Sequence, residues 1–539
     1  MKNIKILAAV LGVAISVASC KDYLDVNDNP NAVPIENVTP KHMFPGAVSQ
    51  IWRTQGTTFF QFGNLMMNNW GANIYSFGAA FIPEFTLASV NSSFYNTFWD
   101  SLYLNMNNFV SVEQFNNNNQ DGKNGNYVAM AKVMKAFYMQ YIVDLYGDAP
   151  YSQAFLGAAN MTPGYDNDED IYKALYAELD AAQALINNPS PNAEAVNAAS
   201  DIVFGGDMES WKKFANNIKL KLVMRMSEIP SGAAMATFRD QKISELSLLS
   251  EADYYLSDVK ENPGYSSAND SKMNPLFLTY RANSIGTAPQ NFSSITVSEH
   301  MANALNGNVD SAPEPQYSKF NSIVDPRRFQ MWTPVLGKVK GTKQGTLLGQ
   351  PGVPANSTIS RFANGLFVGS GTLSVANGAS RPGMIMSAAE TYFLLAEASV
   401  RYPSVYASGK AAFENGIKKS CAWIGLSETA ATVTTYLNSI NSVSGLGWDA
   451  SAAVPNKIEA IMTQKWIALA STNPTEMFIE YNRTGMPWTP LAVNSVQSRK
   501  PYRLMYPNSE YVANSGNVPN MQSSQCFTIN EKTPFWIQH

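Results

Sequence analysis

Few residues able to do covalent or metal chemistry are spaced for it in this 539-residue chain. The three histidines, His42, His300 and His539, lie far apart, which excludes the paired-histidine helical turn that holds catalytic zinc. A nucleophile-elbow G-x-S-x-G and a phosphate-binding P-loop are absent as well. Asp25, Asn27, Asn29 and Glu36 mimic the ligand spacing of a calcium loop. Position six of such a loop needs glycine for its sharp turn, but Pro30, with φ fixed at about −65°, stands there, so a solvated tether is the better reading. Spacing cannot exclude a glycosidase pair, because its two acids must only meet in space. Glu390 with Glu397 and Glu476 with Glu480 are the best candidates, and all four fall inside helical patterns with scaffold explanations. The run Asp166, Asp168, Glu169 and Asp170 reads as charge favouring a helix N-terminus. No catalytic residue, metal ligand or cofactor is therefore assigned.

What remains is the chemistry of non-covalent recognition. Asn68-Asn69-Trp70-Gly71-Ala72-Asn73-Ile74-Tyr75 sets two large aromatic rings among amides and a glycine, with no helical or alternating period that demands burial. Aromatic faces can stack on sugar rings while amides bond hydroxyls, and the same groups can take a peptide in a groove. Two readings stay open: a ligand platform, or aromatic filling between a scaffold and its loops, since Trp is highly buried on average. With 38 basic and 42 acidic residues and no long run of either sign, the chain lacks the phosphate-neutralising surface that nucleic acid requires. Charged residues make up only 15% against 12% aromatic, and Asn is abundant, as at 116–119, so neutral hydroxylated or amide-rich ligands suit the surface better than ionic ones.

Such a surface needs a frame, and the helices that supply it are strongly marked. Met130, Val133, Met134, Phe137, Tyr141, Ile142 and Leu145 recur at helical spacing over 127–146, with Gly147 placed to end the helix. Asp168 and Asp170 precede a second pattern through Ile171, Leu175, Leu179, Ala182 and Ile186, and Trp211, Phe214, Ile218 and Leu222 carry a third. Ser387 with Glu390 and Asn456 with Glu459 read as capping boxes opening two helices of the C-terminal half. Small residues such as Ala396, Ala398 and Ala412 at crossings fit stacked helical hairpins. Regions 55–95 and 255–385 lack a sustained helical period, and loops held by a rigid scaffold are where binding residues ride. No low-complexity linker divides the chain, so 41–539 is expected to form one domain. Cys421 and Cys526 are too few for a disulfide framework, and the sequence does not say whether they pair.

The first 19 residues read as a secretory signal, with Lys2 and Lys5 before an apolar run at 6–17 that is too short to span a bilayer. Val17-Ala18-Ser19-Cys20 resembles a lipobox, which makes Cys20 the expected lipidated first residue of a tether over 20–40. Lys21-Asp22 resembles an export signal to the outer face. Further along stand Asp25 to Asn31, then Asp144-Leu145-Tyr146-Gly147-Asp148-Ala149-Pro150-Tyr151, then Trp211-Lys212-Lys213-Phe214-Ala215-Asn216-Asn217. They are followed by Ser387 through Ala398, Gln464-Lys465-Trp466-Ile467-Ala468, Glu480 with Arg483-Thr484-Gly485-Met486-Pro487, and Arg503 through Tyr506-Pro507-Asn508-Ser509-Glu510. In this order, across about 500 residues, these segments resemble the SusD/RagB family of nutrient-binding outer-membrane lipoproteins. Asn217 and Tyr481-Asn482 depart from the common family pattern.

The resemblance implies a mostly α fold in which tetratricopeptide-like helix pairs form a scaffold with long, irregular ligand-binding loops. It implies a lipid-anchored protein of the outer membrane facing the exterior, with a SusC-like TonB-dependent transporter as partner. Its ligand would be an oligosaccharide, or alternatively a peptide, and it would not be an enzyme; a secreted glycoside hydrolase is the competing class. Ligand contacts in the family come from an early loop and from middle loops. On this chain those positions fall on Asn69, Trp70, Asn73 and Tyr75, with Tyr280, Arg281 and Trp332 as the nearest equivalents by type. Arg483 is expected to pair with Glu480 or Glu476 as scaffold.

Overall fold

The computed structural model describes residues 38–75, 80–118, 122–307, 315–350 and 353–538. Cys20, the signal segment, the calcium-like loop at 25–36 and His539 lie outside the described residues. The fold is mostly helical. Helix α1 (Pro40–Thr54) runs through a π turn (Gln55–Phe59) into α2 (Phe60–Met66). Then come α3 (Thr97–Asn118), α4 (Gly125–Tyr146), α5 (Asp168–Asn187), α6 (Met208–Arg225) and α7 (Ala234–Leu246). The C-terminal half adds α8 (Ala388–Arg401), α9 (Gly409–Trp423), α10 (Ala431–Ile440), α11 (Val454–Leu469) and α12 (Pro474–Thr484), with shorter helical turns between.

Helix starts follow side-chain chemistry. Asn167, Asp207 and Ser387 cap α5, α6 and α8, each accepting a first-turn backbone N–H at 3.0–3.3 Å. Two expectations shift. Asn456 is not a cap, because Pro455, preset for the first helical turn, starts α11 at Val454, and the Asn456 amide instead reaches Ser444 Oγ. Residues 55–66 are helical, not loop. This stretch is buried nearly all round, among Phe59, Phe60, Phe62 and Leu65, so it shows no polar face from which a period could be read. Gly63 lets α2 approach α12: a Cβ there would lie 2.1 Å from the Pro474 carbonyl carbon.

Sequence neighbours pack as pairs, α3 on α4, α4 on α5, α5 on α6 and α8 on α9, while α8 on α11 and α2 on α12 close the body over longer separations. α4 lies at the centre, buried over most of its circumference. Cys421 and Cys526 are buried and unpaired.

The halves are also bound by a buried ionic network. Arg225 of α6 pairs with Asp144 of α4 at 3.1 Å and with Glu476 and Glu480 of α12 at 2.6 Å each. Lys221 bridges Glu390 and Glu476 at 2.9 and 2.8 Å, and Lys465 approaches Glu480 at 3.4 Å. Arg483 forks onto Glu397 with two 2.7 Å bonds and also holds Glu480, and Arg401 reaches Glu397 at 2.7 Å. Arg483 thus pairs with Glu480 as expected, and with Glu397 in place of Glu476. The carboxylates Asp144, Glu390, Glu397, Glu476 and Glu480 are each matched by a cation, which is what burial of charge demands. Burial opposes ionisation of Glu480, yet Arg483, Lys465 and Arg225 outweigh it and hold its carboxyl well below the usual range.

Candidate ligand-binding site

Two short antiparallel pairs tie the loop regions to this frame. β1 (Trp70–Ala72) and β2 (Val259–Glu261) pair respectively with β3 (Ile295–Val297), in the register Trp70 to Val297, and β4 (Gly383–Met386). The first pair gathers most of the residues singled out in the sequence. Trp70 is 2% exposed, its ring set edge-on against Phe60, Tyr280 and Phe362 at centroid distances of 5.4–5.5 Å. Trp332, equally buried, stacks on Phe362 at 5.0 Å. Tyr280 donates its hydroxyl to the Thr57 carbonyl within the π turn at 2.7 Å. Asn69 is buried with its amide on Asn64 Oδ1 at 2.9 Å. The space between Trp70, Trp332 and Asn69 amounts to about 10 Å³, too little for a sugar or a peptide side chain. In this structure Trp70, Tyr280 and Trp332 therefore join the scaffold to its loops and show no ring face to solvent.

Tyr75 and Arg281 are placed differently. Asn73, buried, donates its amide to the Ser293 carbonyl at 2.7 Å and accepts from the Tyr75 backbone N–H at 3.2 Å, which fastens the turn bearing Tyr75 to the short helix Gln290–Ser294. Tyr75 itself is 38% exposed. From the same short helix, Phe292 lies under the Arg281 guanidinium, 4.6 Å from ring centroid to the cation. Partial burial lowers the pKa of Arg281, and among the described residues no carboxylate pairs with it. A half-buried guanidinium on an aromatic face has its in-plane donors free for an oxygen-rich ligand.

A cleft opens within the loop-rich region 55–95, at Thr58 of the π turn, and none of its lining residues is singled out by the sequence. It measures about 470 Å³ and is lined by Thr58, Glu84, Asn91, Ser93, Tyr95 and Asn96 among others. Tyr95 donates its hydroxyl to Glu84 Oε1 at 2.7 Å and accepts from Gln61 at 3.1 Å. Burial raises the pKa of Glu84. Asn68, Phe81, Leu87 and Tyr95 all have φ between 52° and 61°, four of the seven non-glycine residues found in that region among those described. Bulky left-handed residues are strained, and such strain gathers at ligand clamps and active sites. The sequence signal was the run of Asn, Ser and aromatics at 91–97, but only the folded loop brings Glu84 to it.

A helical frame with loops laced onto it by short strand pairs defines a scaffold-and-loop protein, and solved structures share this fold. A chitin-binding SusD homologue from Flavobacterium johnsoniae superposes with a TM-score of 0.64 at 20% identity, covering 88% of this chain and 94% of its own. A SusD homologue from Bacteroides fragilis gives 0.66 at 19%, covering 93% and 100%, and one from Bacteroides uniformis gives 0.64 at 22%, covering 92% and 100%. No curated protein sequence matches the chain. The profile of the SusD-like family described as starch-binding and associating with the outer membrane matches residues 37–507, and the chain belongs to that family. Among the described residues no helix is long and apolar enough to cross a membrane.

Proposed function

We propose that this protein captures oligosaccharides at the cell surface and delivers them to a SusC-like TonB-dependent transporter, held to the outer membrane by lipid on Cys20. The observations that carry the ligand class are the exposed Tyr75 ring and the Arg281 guanidinium, which has no acidic partner among the described residues, both set against the short helix Gln290–Ser294, together with a cleft that presents amides and hydroxyls. Family membership and the chitin-binding structural neighbour support a glycan over a peptide. Tyr75 and Arg281 would touch the sugar, while Asn69, Trp70, Asn73, Tyr280 and Trp332 position them. Binding without chemistry is supported by the fate of the sequence's best acid pairs: Glu390, Glu397, Glu476 and Glu480 are all buried in ion pairs where no substrate reaches.

Isothermal titration against chito-, malto- and other oligosaccharide pools and against peptide pools tests the reading. An aromatic platform is worth about 1–3 kcal/mol by analogy with base stacking, so Tyr75→Ala should weaken glycan binding about tenfold with the melting temperature unchanged. Binding confined to peptides, or indifferent to Tyr75→Ala and Arg281→Gln together, would reject it. Cys20→Ala should move the full chain from membrane pellets to the soluble fraction; a mutant that still pellets in cells without the transporter would count against the anchor.

A further inference from the structure

A second cleft, about 760 Å³, lies between the N-terminal turns of α3, the 150–163 loop and a short helix at Asn508–Ala513. Two segments that carry the family resemblance meet there, one ending at Pro150 and Tyr151, the other at Ser509 and Glu510, joined by the Tyr506 hydroxyl on the Asp148 carbonyl at 3.0 Å. Its walls are aromatic. Trp99 and Tyr103 lie 4.8 Å apart and Tyr103 and Phe155 5.6 Å apart, with Phe155 held at φ 63°.

Two properties of this cleft bear on what it binds. The first is an apolar rim: Leu104 is 72% exposed, Met161 80%, and Leu156 and Val512 stand exposed close by. Aliphatic side chains presented to water around one concavity are a feature of protein-contact surfaces. The second is charge. Asp100 and Glu510 line the cleft, no Lys, Arg or His does among the described residues, and neither acid has an ion pair among them. Glu510 is held in place by donors from Trp99 Nε1 at 3.3 Å and the Tyr165 hydroxyl at 2.7 Å, and Asp100 by the Ser509 hydroxyl at 2.6 Å. Fixed carboxylates beside Trp and Tyr rings are complementary to a cation.

We infer that this cleft docks an extended segment of a partner protein, one that inserts an aliphatic or aromatic anchor and sets an Arg or Lys against Asp100 and Glu510. Arg is among the residues that carry interface energy when its charge is met in a desolvated pocket. The inference stands whether or not the Tyr75 surface binds sugar, because the residues differ.

The probe is a displayed random heptapeptide library selected on the immobilised full-length lipoprotein in detergent. Enriched peptides should carry Arg or Lys within two residues of a large apolar side chain, and a synthetic copy should lose at least tenfold in affinity when its Arg becomes citrulline. Leu104→Ser with Met161→Ser, both at exposed positions where folding is not at stake, should reduce binding at least tenfold, as should Glu510→Gln if it melts like the parent. No enrichment, enriched peptides without a basic residue, or binding unchanged in the Leu104→Ser, Met161→Ser variant would each overturn the inference. So would competition by neutral chito-oligosaccharide, which would make the cleft a glycan site.

Discussion

Arg225→Met should destabilise the protein by at least about 3–5 kcal/mol, the cost of removing one partner from a buried ion pair, and full-length material should accumulate poorly or unfold at a much lower denaturant concentration. The physical reason is the charge left behind. Arg225 alone satisfies parts of Asp144, Glu476 and Glu480, three carboxylates with essentially no solvent contact. Methionine fills the volume and supplies no donor. Lysine would restore charge without the planar fork that reaches three acids at once, so Arg225→Lys should recover only part of the loss. The deficit should also depend on pH, with a sign that follows from linkage. Burial already pushes the Asp144 carboxyl up to about 6 against the opposing pull of Arg225 and the Tyr172 hydroxyl. Without the cation, the Asp144 carboxyl in the folded state rises further above its unfolded value. The folded state then binds more protons than the unfolded one, and stability falls as pH rises. Urea unfolding of Arg225→Met at pH 5 and pH 8 should show the larger deficit at pH 8. A variant within about 1 kcal/mol of the parent at both pH values would mean that Arg225 contributes little to holding the three acids.

Trp70→Ala should cost about 3–5 kcal/mol of stability, the range for truncating a buried Trp in a core that relaxes only in part. The indole fills the joint between α2, the short helix Pro275–Tyr280 and the loop bearing Phe362, meeting all three rings at 5.4–5.5 Å. Its backbone is fixed as well, with the Trp70 carbonyl accepting from Gln344 at 2.6 Å and the strand paired to Ile295–Val297. Removing the ring opens a cavity at the place where the loops bearing Tyr75 and Arg281 are fastened to the frame. Glycan affinity should therefore fall alongside the denaturation midpoint, while Tyr75→Ala lowers affinity alone. Trp70→Phe, which keeps an aromatic face, should recover most of the stability. Should Trp70→Ala unfold like the parent and lose only ligand binding, the ring must reach the ligand in a conformation other than this one.

What the sequence determined by itself was the frame. Periodicity over 127–146, 168–186 and 211–222 located α4, α5 and α6, and Ser387 located the start of α8, because amphipathic spacing and capping are local and survive without any tertiary information. The same locality explains why acidic residues inside helices could be recognised as scaffold before their partners were known. It also explains the failures: Asn456 yielded to the neighbouring Pro455, and residues 55–66 hid their helix because burial on all sides erases the pattern. Tertiary structure alone decided which aromatic residues face water. Trp70 and Tyr75 stand five positions apart in one amide-rich run, and nothing in composition distinguishes them. Pairing of β1 with a strand more than 220 residues away turns the first ring into the core, and the turn held by Asn73 leaves the second outside. The network around Arg225 was decided in the same way, since Asp144, Glu390, Glu397, Glu476 and Glu480 come from distant helices, and a charge is buried only where the fold brings its counter-charge within reach.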